Sequence, residues 1–289
     1  MSAVAARGFG ERLAAAVATR ASQVVLGLDP DPARVPGGAE GARAFCRRAI
    51  GAAGPACVAA KIQLASFERF GAAGWDAFER VAAAAAEAGL LVIADAKRGD
   101  VEVTSRAYAA AFLRHPIDAL TINPTLGGDA VAPFLEAATS DGRGLFALVR
   151  TSNPGAADLQ DLPLAAGGLW HEEVARRVAG WGAASVDGSG LSALGAVVGA
   201  TVPERLGALR ALMPHQPFLI PGVGAQGGRP EDLGPAFGGR AAGALVSASR
   251  SIIFAESPRR AAEDLRAALW SAFEAAGGDD PDHMRRGER

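Results

Sequence analysis

Apolar residues along this chain gather into short unbroken runs rich in Val, Ile and Leu, separated by Ala-rich stretches in which apolar positions recur at helical spacing. Eight runs predict strands: 23–29, 56–63, 90–97, 119–124, 144–152, 195–201, 217–224 and 243–249. A run without polar alternation reads as a strand covered on both faces, as in a parallel sheet. The intervening stretches are long enough for helices of about 10–15 residues, so eight successive βα units predict a closed (β/α)8 TIM barrel, with an open doubly wound sheet as the next arrangement. No longer repeat and no Pro- or Ser-rich linker divides the chain, which assigns residues 1–276 to one barrel domain. The remaining 277–289, GGDDPDHMRRGER, is charged with little to bury and is expected to be disordered.

A barrel of this type keeps its chemistry at the C-terminal ends of its strands. Those positions carry Asp29, Lys61, Asp95 with Lys97, Asn123, Ser152, Thr201, the loop holding Gly222, Gly224 and Gln226, and Arg250, whereas the strand starts offer nothing comparable. A net charge of −2, with arginines scattered among acids, gives no basic field for nucleic acid. No apolar run approaches the ~18 residues of a membrane span, and the N-terminus lacks a secretory apolar core, so a cytoplasmic protein is expected. Cys46 and Cys57 lack metal-ligand spacing and read as small buried residues. His115, His171, His215 and His283 have no mutual spacing and read as surface or capping residues.

Lysine changes this picture most. Only Lys61 and Lys97, of 29 basic residues, are lysines, and each falls where an apolar run gives out. Arginine stays charged, whereas lysine offers a compact charge and a proton that can be released, so these two sites point to proton chemistry. The segment 93–105, IADAKRGDVEVTS, puts Asp95 and Lys97 on one face of a strand end, with Asp100 following in the loop. Alternating carboxylates and amines keep a lysine charged and oriented, able to deliver a proton while a carboxylate opposes negative charge on a substrate. A purely structural ion-pair cluster would also satisfy D-x-K-x-x-D; Lys61 on the preceding strand favours catalysis.

A second constellation, IPGVGAQGGRP at 220–230 with SASRSI at 247–252, lies at the ends of the last two strands. Gly-rich backbone amides and a short helix N-terminus commonly bind phosphate there, and Arg250 can add a bidentate contact, so a phosphorylated small molecule is expected. Residues 222–227 also match G-x-G-x-x-G. That fingerprint belongs at a first βα turn opening directly into a helix, which the following Gly228 and Pro230 oppose, so nicotinamide binding is set aside.

The motifs GLDPDP (27–32), AAKIQLASFERFG (59–71), DAKRGDVEVTS (95–105), LTINPTLGGDAVAPF (120–134), RTSNPGA (150–156) and PGVGAQGG (221–228), in that order, resemble the orotidine 5′-phosphate decarboxylase family in its longer bacterial subfamily. The resemblance runs from about Phe9 to Ala255. It implies a cofactor-free and metal-free carboxy-lyase that converts orotidine 5′-monophosphate to uridine 5′-monophosphate in the last step of pyrimidine nucleotide synthesis. Lys61, Asp95, Lys97 and Asp100 would form the family's Lys-Asp-Lys-Asp array, with Asp100 and Thr104 crossing into the partner's site of a homodimer. Asp29 would contact the ribose, Ser152 the pyrimidine, Gln226 both base and phosphate, and Arg250 the phosphate beside Pro221, Gly222 and Ser249. Asn123 is carried over as a further substrate contact. Ser249 departs from the glycine that relatives often place before the arginine, which would narrow the approach to phosphate.

Two other readings stay open. A Mg²⁺-dependent phosphosugar aldolase or keto-acid decarboxylase on the same fold uses a similar segment, but needs a carboxylate where Lys61 stands, and an ammonium cannot ligate a metal. A non-catalytic phosphate-ligand barrel would keep Arg250 and the glycine loop without needing the charged array.

Overall fold

The computed structural model describes residues 7–224 and 226–278. Most of the charged tail expected to be disordered, and His283, lie outside these residues. Eight strands form a closed, all-parallel barrel in sequence order: β1 (Val24–Leu28), β2 (Ala59–Gln63), β3 (Leu91–Arg98), β4 (Ala119–Ile122), β5 (Gly144–Arg150), β6 (Leu194–Val198), β7 (Phe218–Pro221) and β8 (Ala244–Ala248). Pairing of Val24 with Val246 and Val25 with Ser247 closes the circle. The fold is therefore the (β/α)8 barrel, each strand lying within a predicted run except that β3 ends one residue later and β6 starts one residue earlier. Some runs overreach because their ends enter turns; Gly54–Ala56 is a 3-10 turn rather than the start of β2.

Strand alternation sorts the apolar runs into two cores. Outward residues such as Leu26, Ile62, Val92, Leu120, Val198 and Val246 pack with the surrounding helices. Inward residues Val25, Ala59, Ile93, Ala119, Phe146, Val197, Leu219 and Leu245 fill the barrel and meet Phe9, Leu13 and Val17 from the N-terminal helix Phe9–Arg20. The rings of Phe9 and Phe146 meet edge to face at 6.1 Å. Glycine makes that contact possible: a Cβ on Gly144 would lie 2.4 Å from the Phe9 ring, and one on Gly195 2.8 Å from that of Phe146. One end of the barrel is thus sealed by hydrocarbon.

Moving along the inward face toward the other end, Ala59 gives way to Lys61 and Gln63, Ile93 to Asp95, and Ala119 to Thr121. The same period that fills the barrel with apolar side chains delivers polar ones to its mouth. Among the described residues, no helix is long and apolar enough to cross a membrane.

Candidate active site

The C-terminal mouth of the barrel holds a cavity of about 380 Å³, lined among others by Asp29, Lys61, Asp95, Lys97, Ser152, Pro221 and Gln226. Asp95 is its electrostatic centre. One carboxylate oxygen accepts hydrogen bonds from Lys61 Nζ and, at 3.2 Å, from Gln63 Nε2; the other accepts from Lys97 Nζ at 2.5 Å and Thr121 Oγ1 at 3.0 Å. Burial by itself would push the Asp95 carboxyl up, but the ammonium groups of Lys61 and Lys97 outweigh it and hold the carboxyl well below the usual range. Burial likewise disfavours the Lys61 ammonium, and the carboxylates of Asp95 and Asp29 reverse that effect and raise its pKa. An ionised carboxylate between two lysines is the form these interactions select. Lys61 is buried in this arrangement, whereas the Lys97 side chain keeps 42 % of its surface open to the cavity and solvent.

The Lys97 backbone is unusual. The β3–β4 ladder pairs Ala94 with Leu120 and then jumps to Arg98 with Ile122, so three residues of β3 face Thr121 alone. Within this bulge Lys97 takes φ +48°, the left-handed region that costs an ordinary side chain about 1–3 kcal/mol. Its backbone N–H donates to Thr121 Oγ1 at 3.0 Å. The period of two predicted Asp95 and Lys97 on one face; the two side chains do meet, but through a bulge rather than a regular strand.

Around this centre, Asp29 presents a buried carboxylate oxygen with no hydrogen-bond partner among the described residues, as expected of a position that receives a ligand's donor. Ser152 lies on the segment after β5. That segment is tied down by hydrogen bonds from the Thr151 backbone N–H to Gln160 Oε1 at 2.7 Å, and by a bidentate ion pair from Arg150 to Asp161 at 3.0 and 2.9 Å. Gly222 has φ +102°, and a Cβ there would lie 3.1 Å from Gln226 Oε1 and 3.2 Å from Ser152, so only glycine lets these residues converge. Ser249 stands opposite Gly27, where a Cβ would come within 2.6 Å of the Ser249 Cβ. The serine side chain is thus accommodated by the missing side chain of Gly27 on the neighbouring strand β1. Arg250 is exposed at the start of the short helix Arg250–Ile253, and its guanidinium has no partner among the described residues.

Gly222, Ser249 and Arg250 border the cavity without being among its lining residues, and Asn123, Asp100 and Thr104 make their contacts elsewhere. Asn123 turns its side-chain oxygen toward its own loop, accepting from the Thr125 N–H at 3.2 Å and hydroxyl at 2.9 Å. Asp100 accepts from the Val101 N–H at 2.7 Å, and Thr104 sits in the first turn of the helix Glu102–Phe112. Gln63, Thr121, Leu148, Thr151, Asn153, Val197 and Leu219 line the cavity without having been singled out. Gln63, two residues beyond Lys61, was within reach of the inward period.

His171 corrects the reading of the histidines as surface or capping groups. It is buried, its Nδ1 lies 2.7 Å from the Gln160 carbonyl and 3.1 Å from Asp161, and it helps fasten the segment after β5. His115 and His215 are exposed. Both cysteines are buried, and burial pushes each thiol up to about 12. Among the described residues no group of three or more His, Cys, Asp or Glu side chains gathers as a metal site.

Comparison with known proteins bears on what this cavity does. A profile of the orotidine 5′-phosphate decarboxylase / HUMPS family matches residues 22–265. Orotidine 5′-phosphate decarboxylases from Rhodopirellula baltica and Halorubrum lacusprofundi are 40% and 42% identical, covering 86% and 93% of this chain and 88% and 95% of their own length. The structure of Leishmania donovani OMP decarboxylase is 35% identical and superposes with a TM-score of 0.79 over 92% of this chain and 98% of its own.

Proposed function

The chain belongs to the orotidine 5′-phosphate decarboxylase family, and from that premise we propose how its barrel mouth performs the reaction. The activity is decarboxylation of orotidine 5′-monophosphate to uridine 5′-monophosphate in pyrimidine biosynthesis. Loss of CO2 leaves an electron pair on the pyrimidine carbon, which must be stabilised and then protonated. The observation that carries the assignment of roles is the Asp95 carboxylate held ionised between Lys61 and Lys97 at the cavity floor.

In this reading the substrate carboxylate enters beside Asp95, where two negative charges oppose each other. Lys97, the more open of the two lysines, faces the carbanion as it forms and supplies its proton. Lys61 holds Asp95, and Asp100 of the partner subunit completes the array around Lys97. Asp29 takes the ribose hydroxyls with its unpaired oxygen, Ser152 the pyrimidine, and Gln226 both base and phosphate. Arg250 with Pro221, Gly222 and Ser249 receives the phosphate. Thr104 contributes across the dimer interface, and Asn123 joins the substrate only by releasing Thr125. The protein acts as a cytoplasmic homodimer whose catalytic domain spans residues 1–276, and it uses neither cofactor nor metal.

Magnitudes constrain how the work is divided. Two like charges about 4 Å apart repel by roughly 4 kcal/mol at an effective dielectric near 20. At about 1.4 kcal/mol per decade this supplies some three decades, short of the ~8–23 kcal/mol that enzymes commonly provide. Repulsion at Asp95 therefore cannot carry catalysis alone. The larger part comes from an ammonium preorganised against the developing charge and from phosphate binding remote from the reacting carbon.

The test is ultraviolet absorbance of protein mixed with orotidine 5′-monophosphate and excess chelator. Conversion of orotate-type to uridine-type absorption that survives chelation is expected. A requirement for added Mg²⁺ would favour the metal-dependent aldolase or keto-acid decarboxylase, and binding without turnover the phosphate-ligand barrel. Lys97→Ala is expected to lower kcat by at least about 10³-fold while product binding persists; near-normal turnover would remove Lys97 as proton donor.

A further inference from the structure

We infer that Thr121 is a positioning residue for catalysis, setting the geometry of Asp95 and Lys97 together through one hydroxyl. This rests on the assignment of the chemistry to those two residues. The Thr121 side chain is buried at the centre of β4, and its Oγ1 makes two bonds of opposite sense. It accepts from the Lys97 backbone N–H at 3.0 Å and donates to Asp95 Oδ1 at 3.0 Å. A hydroxyl has one proton to give and lone pairs to receive, so both bonds can form at once.

The β-bulge explains why a side chain is needed. In a regular parallel strand alternate residues turn their backbone groups to the two neighbours, and the odd positions of β3 face β2: the Leu91 N–H donates to the Val58 carbonyl and the Asp95 carbonyl accepts from the Leu64 N–H. Here Asp95, Ala96 and Lys97 all face the single residue Thr121, and the ladder resumes only at Arg98 with Ile122. The bulge turns the Lys97 N–H to the β4 side, where it meets the Thr121 hydroxyl oxygen, and this bond anchors a backbone held at φ +48°. Left-handed non-glycine residues persist only where their surroundings over-determine them. The same oxygen orients the carboxylate that Lys97 Nζ bonds at 2.5 Å. Removing the hydroxyl frees the main chain and the carboxylate of the array in one step, while leaving every charge in place.

Thr121→Val keeps the side chain's shape and deletes both bonds. We expect kcat to fall at least about tenfold with KM and affinity for uridine 5′-monophosphate changed less than about threefold, because the misplaced groups act on the reacting carbon rather than on ribose or phosphate. Thr121→Ser, which retains the hydroxyl, is expected to recover kcat to within about threefold of the native protein. Unchanged kcat in Thr121→Val overturns the inference, as does a loss confined to KM and product affinity, which would make Thr121 an ordinary wall of the cavity. Should Thr121→Val not fold, Thr121→Ala against Thr121→Ser provides the same comparison, and equal kcat in those two would also overturn it. Lys97→Ala measured alongside separates the two levels: full turnover there removes the chemistry from Lys97, whereas a silent Lys97→Ala with a fully active Thr121→Val removes only the positioning role.

Discussion

Asp95 illustrates how a buried charge is made affordable. Four donors converge on it, two of them ammonium groups, and the carboxyl is held far down despite burial. Removing one partner of a buried pair leaves the other uncompensated, at a typical cost of 3–5 kcal/mol. Asp95→Ala is expected to destabilise the fold by about 3 kcal/mol, at the lower end of that range because Asp29 still faces Lys61. A urea midpoint lowered at constant slope would show it; an unchanged midpoint would mean that Lys61 simply gives up its proton. Because the folded carboxyl lies below its unfolded value, its stabilising contribution is present above the ordinary carboxylate pKa of about 4 and is lost as pH falls toward the folded one. Of this residue's surroundings, Lys97 and Lys61 were legible in the sequence through strand period and rarity. The inward period also reaches Gln63 and Thr121, but that they bond Asp95 was not legible, since a neutral side chain on an inward position looks the same whether it packs or bonds.

Among the elements, the segment after β5 depends most on contacts remote in sequence. Arg150 at the strand end pairs with Asp161, and His171 from the next helix, Trp170–Gly182, and Arg205 approach the same carboxylate at 3.1 and 3.7 Å. The Arg150 hydrogen bonds lower the Asp161 pKa, outweighing its partial burial. The sign follows as for Asp95: the contribution is present above the unfolded carboxyl pKa and fades in acid. Since this network fixes the strand end next to Ser152, Asp161→Ala is expected to weaken uridine 5′-monophosphate binding about tenfold, while binding of ribose 5-phosphate, which has no base, changes little. A loss of about 1–2 kcal/mol should lower Tm by roughly 2–8 °C. Calorimetric titration with the two ligands checks this, and equal weakening of both would show that the network supports the barrel rather than the base contact.

For the whole molecule, Asp100 and Thr104 lie outside the cavity of their own subunit, which accords with the proposed exchange across a homodimer. Mixing Lys97→Ala with Asp100→Ala chains tests it. Each is expected to be inactive alone, but a mixed dimer with two-fold symmetry contains one site with both residues native. With random exchange half the dimers are mixed and each has one good site, so roughly a quarter of native activity should return. No recovery, in dimers shown to be mixed, would place Asp100 outside the partner's site.

What the sequence determined by itself was whatever depends on local period and on residue chemistry that few positions share. Unbroken apolar runs alternating with helical spacing specified eight doubly covered strands, and eight such units close into a barrel. Their places at the C-terminal ends of strands then put Asp29, Lys61, Asp95, Lys97 and Ser152 at one mouth, and two lysines in an arginine-rich chain marked the chemistry. The tertiary structure alone decided what depends on how neighbouring strands register. The three-against-one bulge of β3 on β4 turned the Lys97 backbone left-handed and brought Thr121 into the array. Tertiary packing also buried His171 against the Gln160 carbonyl. Periodicity is a property of one segment, whereas register, bulges and buried polar bonds are agreements between segments that are distant in the chain, and no single run of residues contains them.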